Sequence, residues 1–266
     1  MSRNDIAVSE IFGPVLQGEG PVLGEPTVFV RTGGCDLRCE WCDSLHAVLP
    51  QHKGSWRSMV AEEIMEVVCR LAPKPLLVTL SGGNPAMQPC GPLIDVGKAM
   101  GYWFCAETQG TIAPEWFAKL DVLVLSPKPP SSGMTMDWGK FDRCLRAAFP
   151  GGLSDVQVAL KVPIFTEADL DWVEAEVSSR HGKLPLYLSV GNPYPPGDAA
   201  VPSMSVGEAS ITSSYPRGAL DDDIQVLRME LLDRHRWLAD EVLRRRLRAR
   251  VTPQMHVLQY GNARQR

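Results

Sequence analysis

Short apolar runs alternate with helix-period segments along most of the chain. Residues 27–31 (Thr-Val-Phe-Val-Arg), 76–80, 103–106, 122–125, 156–162 and 186–190 are runs of strand length rich in Val, Leu and Phe. Such near-continuous apolar character suits strands buried on both faces. Between them lie segments of helical period. In 59–71 the apolar residues Val60, Ile64, Val67, Val68 and Leu71 recur on one face, with Glu62 and Glu63 in the first turn. Residues 92–100, 114–119, 138–148 and 167–180 read the same way. Strands alternating with helices predict an α/β chain with a mainly parallel sheet. About six βα units suggest a partial (β/α)6 barrel rather than an open sheet. Many strands end in glycine-rich or polar loops, and these converge only around a common axis.

The ends depart from this rhythm. Residues 6–24, with Pro14, Pro21 and several glycines, predict a strand and then a loop. Residues 46–57 read as a loop, and 194–218, rich in Pro, Gly, Ser and Ala, as a long surface loop. Residues 220–248 carry one apolar face through Leu220, Ile224, Leu227, Leu231, Leu238 and Val242, which predicts a long helix. Its arginine-rich end (Arg244, Arg245, Arg246, Arg248, Arg250) suits a helix C-terminus and reads as a solvated face rather than a phosphate or RNA patch. Residues 251–260 look β-like. The expected organisation is a single domain over 1–266. Its core spans about 25–190, and segments 6–24 and 220–262 close over the site.

Composition narrows the function classes. The 266 residues carry a formal net charge of -4, which gives no global case for nucleic acid. No apolar run is long enough to span a bilayer, and no signal-like segment opens the sequence, so a cytoplasmic location is expected. Three of the 7 cysteines fall within residues 35–42, a spacing that argues for a metal site in a reducing compartment and against a disulfide framework. Cys69, Cys90, Cys105 and Cys144 are scattered among apolar residues and read as packing thiols.

Cys35, Cys39 and Cys42 follow Gly33-Gly34 at C-x3-C-x2-C spacing. Structural zinc and ferredoxin-type clusters are closed by four protein ligands. Three thiolates leave one position open to a small molecule, which points to a [4Fe-4S] cluster whose fourth iron is chelated by S-adenosylmethionine. Gly33 and Gly34 permit the tight turn. Trp41 either shields the cluster or packs in the core. Two other classes share these cysteines: an enzyme that installs a glycyl radical on a partner protein, and a non-catalytic iron-sulfur or zinc protein, which needs a fourth ligand.

The cysteine motif, with an aromatic residue before its third cysteine, resembles the radical S-adenosylmethionine superfamily. Further stretches narrow the likeness: Glu10-Ile11-Phe12, Leu16-Gln17-Gly18-Glu19-Gly20, Phe29 through Cys35, Trp41-Cys42-Asp43-Ser44, Glu107 through Thr111, Ser126 through Pro130 and Pro253-Gln254-Met255-His256. Together they resemble the 7-carboxy-7-deazaguanine synthase family, from near residue 6 to near 262, with only 194–218 foreign. The resemblance implies a modified radical core that converts 6-carboxy-5,6,7,8-tetrahydropterin to 7-carboxy-7-deazaguanine with loss of ammonia, for queuosine and 7-deazapurine biosynthesis. It also implies Mg2+, a homodimer and a flavodoxin-type or other reductant.

The resemblance assigns roles residue by residue. Leu16, Gln17, Gly18, Arg31, Ser81 and His256 would bind substrate, with the Arg31 fork on its carboxylate. Glu19 is either a second pterin contact or a solvated loop acid. Ser44 would hold Mg2+, where the family often has threonine. Trp41, Cys42, Asp43, Gly83, Asn84, Glu107, Thr108, Gln109, Ser126, Pro127 and Lys128 would bind the cofactor. The usual Gly-Gly-Glu-Pro loop reads Gly82-Gly83-Asn84-Pro85 here, so a neutral amide replaces a carboxylate, with an expected weaker grip on the cofactor ammonium. Lys161 is either a polar core residue or a carboxylate partner.

Overall fold

A computed structural model describes residues 4–152, 154–192, 221–261 and 265. Its described strands form one open sheet in the order β3-β1-β2-β4-β5-β6-β7-β8-β9. They are β1 (Ile6–Leu16), β2 (Pro26–Thr32), β3 (Arg57–Met59), β4 (Leu77–Gly82), β5 (Trp103–Thr108), β6 (Val122–Leu125), β7 (Gln157–Ile164), β8 (Leu186–Val190) and β9 (Arg250–Val251). From β2 to β9 every pairing is parallel, whereas β1 pairs antiparallel with both β2 and β3. The α/β class, the parallel sheet and all six strands read from apolar runs are present; the sheet is open rather than closed.

The helices are α1 (Leu45–Val48), α2 (Ala61–Leu71), α3 (Gly91–Ala99), α4 (Trp138–Ala148), α5 (Glu167–Trp172), α6 (Ser179–His181), α7 (Asp221–Arg244) and α8 (Met255–Tyr260). A π-type stretch, Val173–Ser178, joins α5 to α6. Side chains alternate across the sheet, as the strand period requires. Val78, Leu80, Phe104, Ala106, Leu123, Leu125, Leu160 and Val162 are buried in the main core, with Ile64, Val68, Leu93, Ile94 and Phe141 of the helices. The intervening residues Leu77, Cys105 and Val124 form a second, small apolar cluster. Farther along the same strands, Ser81, Glu107 and Lys161 line a cavity.

Four sequence expectations change. The expected loop at 46–57 contains part of α1, a 3-10 turn (Pro50–Ser55) and the start of β3. Met59 belongs to β3, so α2 begins at Ala61, and the Glu63 carboxylate accepts from Val60 N at 3.1 Å. Residues 251–260 are mostly helix: β9 covers two residues before Pro253, and α8 follows. That helix is too short for its periodicity to stand out against a strand. The long helix stops at Arg244, and Arg246 takes a left-handed conformation. The 194–218 loop lies outside the described residues.

Two strand ends are strapped together where the cysteine loop leaves β2. Gly83 N donates to Thr32 O at 3.1 Å, and Asn84 N donates to Gly34 O at 2.7 Å. A Cβ on Gly83 would collide with the Gly34 carbonyl, one residue before Cys35. Gly83→Ala should therefore destabilise the fold by about 1–3 kcal/mol, the usual cost of overpacking. It should also lower iron uptake after anaerobic reconstitution. Thermal unfolding and iron content measured side by side check this, and wild-type values for both would contradict it.

Candidate active site

Loops at the C-terminal ends of β2, β4, β5, β6 and β8 border a single cavity with the inner side chains of β7. This is the strand end where parallel α/β folds place their chemistry. The cavity gathers Cys35, Cys39, Cys42, Trp41, Asp43 and Ser44 from the cysteine loop. Leu16, Gln17, Gly18 and Glu19 enter from the segment after β1, and Arg31 from β2. Ser81, Gly82 and Gly83 come from β4, Glu107, Thr108 and Gln109 from β5, Ser126 and Lys128 from β6, and His256 from α8. Of the residues assigned from sequence, Asn84 and Pro127 are not on the cavity wall.

The three thiols lie near one another and are poorly solvated. Burial pushes all three up; nearby acids add to it, whereas the Lys128 charge opposes it at Cys35 and Cys39. Cys42 reaches about 12, through burial and then the Asp43 carboxylate. Thiols so disfavoured as free thiolates suit coordination by a cation, which supplies the missing counter-charge. Among the described residues, no three His, Cys, Asp or Glu side chains are close enough to hold one metal ion. Thiolates that each bind a different iron of a cluster need not be. Trp41 stacks on Phe165 with centroids 4.8 Å apart, and its Nε1 donates to Ser131 Oγ at 3.1 Å. Lys128 Nζ lies 5.8 Å from the Trp41 ring and donates to Ser126 Oγ at 2.9 Å.

Arg31 and Ser44 meet beside the cysteines. Arg31 Nη1 donates to Ser44 Oγ at 3.0 Å, and Ser44 Oγ donates to Asp43 Oδ1 at 2.8 Å. Arg31 Nε donates to Glu10 Oε1 at 2.9 Å, and His46 Nε2 lies 3.1 Å from the same oxygen. Burial alone would raise the Glu10 carboxyl, but hydrogen bonds from His46 and Gln265 and the charges of Arg31 and His46 hold it at about 2. Sequence reasoning gave Glu10 no role. The signal was cross-strand pairing: β1 runs antiparallel to β2, and Glu10 stands opposite Arg31.

A second charged group is built from segments far apart in sequence. Lys161 Nζ donates to Glu19 Oε1 at 3.0 Å and to Glu107 Oε2 at 2.9 Å. Gln17 Nε2 donates to Glu107 Oε1 at 3.1 Å, and Gln254 Nε2 to Glu19 Oε2 at 3.4 Å. Burial would raise the Glu19 carboxyl, yet the charges of Lys161 and His256, with hydrogen bonds from Lys161 and Gln254, bring it to about 2. Burial would depress Lys161, but Glu107 and Glu19 outweigh it and raise its pKa. Lys161 is thus a carboxylate partner, the second of its two sequence readings.

The terminal segment packs on the Gln17 loop. Met255 N donates to Gly18 O at 2.8 Å, and a Cβ on Gly18 would strike the His256 ring. Only 7% of Ser81 is exposed, and its hydroxyl lacks a hydrogen-bond partner among the described residues. A buried, unsatisfied hydroxyl on a cavity wall is a natural ligand contact.

Asn84 lies behind the cavity wall. It is fully buried, and all its amide bonds go to protein groups.

Comparison with known proteins places the chain. No family model matches it. A protein from Bacillus subtilis named 7-carboxy-7-deazaguanine synthase is 37% identical over 263 residues, covering 97% of this chain and 98% of that protein. One of the same name from Bacillus cereus is 34% identical over the same length and coverage. The chain belongs to the 7-carboxy-7-deazaguanine synthase family. The crystal structure of QueE from Escherichia coli shares its fold, with a TM-score of 0.59 over 95% of both chains at 18% identity. In this member the cysteine loop, the Arg31–Ser44 pair and the Lys161 group sit on one open, mainly parallel sheet. No described helix is long and apolar enough to cross a membrane.

Proposed function

We propose that the chain converts 6-carboxy-5,6,7,8-tetrahydropterin to 7-carboxy-7-deazaguanine with loss of ammonia, as a radical S-adenosylmethionine enzyme. The observation that carries this reading is the Arg31–Ser44 contact at 3.0 Å on the cavity wall that also holds Cys35, Cys39 and Cys42. A planar cationic fork and an oxygen donor suit a carboxylate beside a hard cation, and thiols on that wall suit iron. The cluster and S-adenosylmethionine, when bound, would supply the radical chemistry that acts at C6 of the pterin.

The chain's own residues hold and orient the reactants. Cys35, Cys39 and Cys42 hold the cluster and leave one iron open to the cofactor. Gly82 and Gly83 let backbone approach the cofactor, with Thr108, Ser126 and Lys128 supplying polar contacts. Arg31 turns its guanidinium to the substrate carboxylate while Glu10 fixes its orientation. Ser44 would offer its hydroxyl to Mg2+, a hard cation that prefers oxygen ligands. Glu19, kept ionised by Lys161, and Glu107, bonded to the same ammonium, accept hydrogen bonds from the N–H edge of the pterin. Gln17, Ser81 and His256 complete the substrate contacts.

The chain acts as one domain, with segments 6–24 and 220–262 closing the site. It works in the cytoplasm, a reading from its cysteine usage, as a homodimer fed by a flavodoxin-type or other reductant, readings that rest on the family resemblance. The reconstituted, reduced protein, given S-adenosylmethionine, the carboxytetrahydropterin and Mg2+, should yield 7-carboxy-7-deazaguanine and ammonia. Yield should fall when Mg2+ is omitted, and an unchanged rate would remove Ser44 from its metal role. Formation of 5′-deoxyadenosine with no deazaguanine would overturn the proposed reaction.

A further inference from the structure

Asn84 stands where the usual radical-enzyme loop carries a carboxylate, and its surroundings account for the amide. Its Oδ1 accepts from Thr108 Oγ1 at 2.7 Å and from Ala86 N at 3.1 Å. Its Nδ2 donates to Asp36 Oδ1 at 2.8 Å and to Thr111 Oγ1 at 3.3 Å. The same Asp36 oxygen accepts from Gln109 Nε2 at 2.7 Å. Gln109 Nε2 also points to Cys35 Sγ at 3.7 Å, and Leu37 N donates to that sulfur at 3.4 Å. One carboxylate, next in sequence to the first cysteine, is therefore tied to the loop after β4 and the end of β5.

We propose that Asp36, Asn84 and Gln109 form a clamp that fixes Cys35 as a cluster ligand and aims an amide N–H at its sulfur. All three are positioning residues, and the inference rests on the cluster reading above. A carboxylate at position 84 would set an oxygen against Asp36 Oδ1 where a donor now sits. Asp36 is itself exposed, but the oxygen it turns to position 84 meets a fully buried side chain, so two like charges at that separation would repel. The neutral amide and Asp36 therefore belong together, and residue 84 serves the cluster loop instead of the cofactor. Hydrogen bonds to cluster sulfurs tune the reduction potential, and partners behind a metal ligand set its geometry. A donated N–H favours the more electron-rich, reduced cluster.

Four proteins test this after anaerobic reconstitution: wild type, Asn84→Asp, the double variant Asp36→Asn/Asn84→Asp, and Gln109→Leu. The readouts are iron and sulfide per chain at limiting iron, and the cluster midpoint potential without S-adenosylmethionine. Asn84→Asp should weaken cluster loading roughly tenfold, the scale seen when a partner behind a metal ligand is lost. The double variant should recover loading, because the amide placed at position 36 can donate to the carboxylate placed at position 84. Gln109→Leu should move the midpoint to more negative potential. Wild-type loading in Asn84→Asp, or a double variant no better than the single, would overturn the clamp. If apo Asn84→Asp fails to fold by circular dichroism, Gln109→Leu decides, and an unchanged midpoint overturns the proposal. A wild type that takes up no cluster overturns the proposed function and the clamp with it. Normal wild-type loading beside an unaffected Asn84→Asp overturns the clamp alone.

Discussion

Replacing Lys161 with methionine should cost about 3–5 kcal/mol of stability at neutral pH, the range for removing one partner of a buried ion pair. The side chain is only 10% exposed and balances two carboxylates, Glu19 and Glu107, at 3.0 and 2.9 Å. Methionine fills similar volume, so the expected loss comes from charge rather than from a cavity. Without the ammonium, two acids are left near each other out of water. Glu19 also fixes the pH dependence. Its folded pKa of about 2 lies below the 4.5 of an ordinary glutamate. In the wild type this group contributes stability that is fully present above pH 4.5 and is lost as pH falls toward 2. In Lys161→Met the carboxyl pKa rises above its unfolded value. The variant therefore gains stability on acidification, and the gap to wild type narrows as pH falls from about 7 to about 4. Chemical denaturation across that range reads the effect, and a constant gap would show that Lys161 does not hold Glu19 ionised.

Arg31→Ala should lower kcat/KM by roughly 10²–10³-fold, since truncating one partner of a buried, hydrogen-bonded charge pair costs about 2–5 kcal/mol. The loss has two sources. The substrate carboxylate loses its planar fork. Glu10 also loses the guanidinium that donates to it at 2.9 Å, while its contacts with His46 and Gln265 remain. Arg31→Lys separates the two: it restores the charge but not the fork, so it should recover part of the loss and retain a raised KM. Cluster content should match wild type in both variants, because the Arg31 guanidinium bonds to Ser44 and Glu10 rather than to the cysteines. Steady-state kinetics beside iron analysis check this. A variant with wild-type KM would sink the carboxylate assignment.

Much of the fold was legible because its signals are local. The helix at 138–148 and the strand at 186–190 match the observed bounds, since each is marked by clear periodicity or an uninterrupted apolar run. The β3 edge strand and α8 were missed because segments of three and six residues carry too little pattern. The site divides in the same way. The cysteine loop and the Gln17 loop are contiguous motifs, and the structure brings both to one cavity. Glu10, Asp36 and the Lys161 group act through partners that are distant in sequence: Lys161 is 142 residues from Glu19. Asn84 could be seen as a departure from the family loop, but its match to Asp36 required the placement of both.

The most direct measurement uses carboxytetrahydropterin deuterated at C6, with reconstituted protein, S-adenosylmethionine and Mg2+. The account predicts 7-carboxy-7-deazaguanine as product, with deuterium recovered in the 5′-deoxyadenosyl group. Unlabelled 5′-deoxyadenosine without deazaguanine would contradict it.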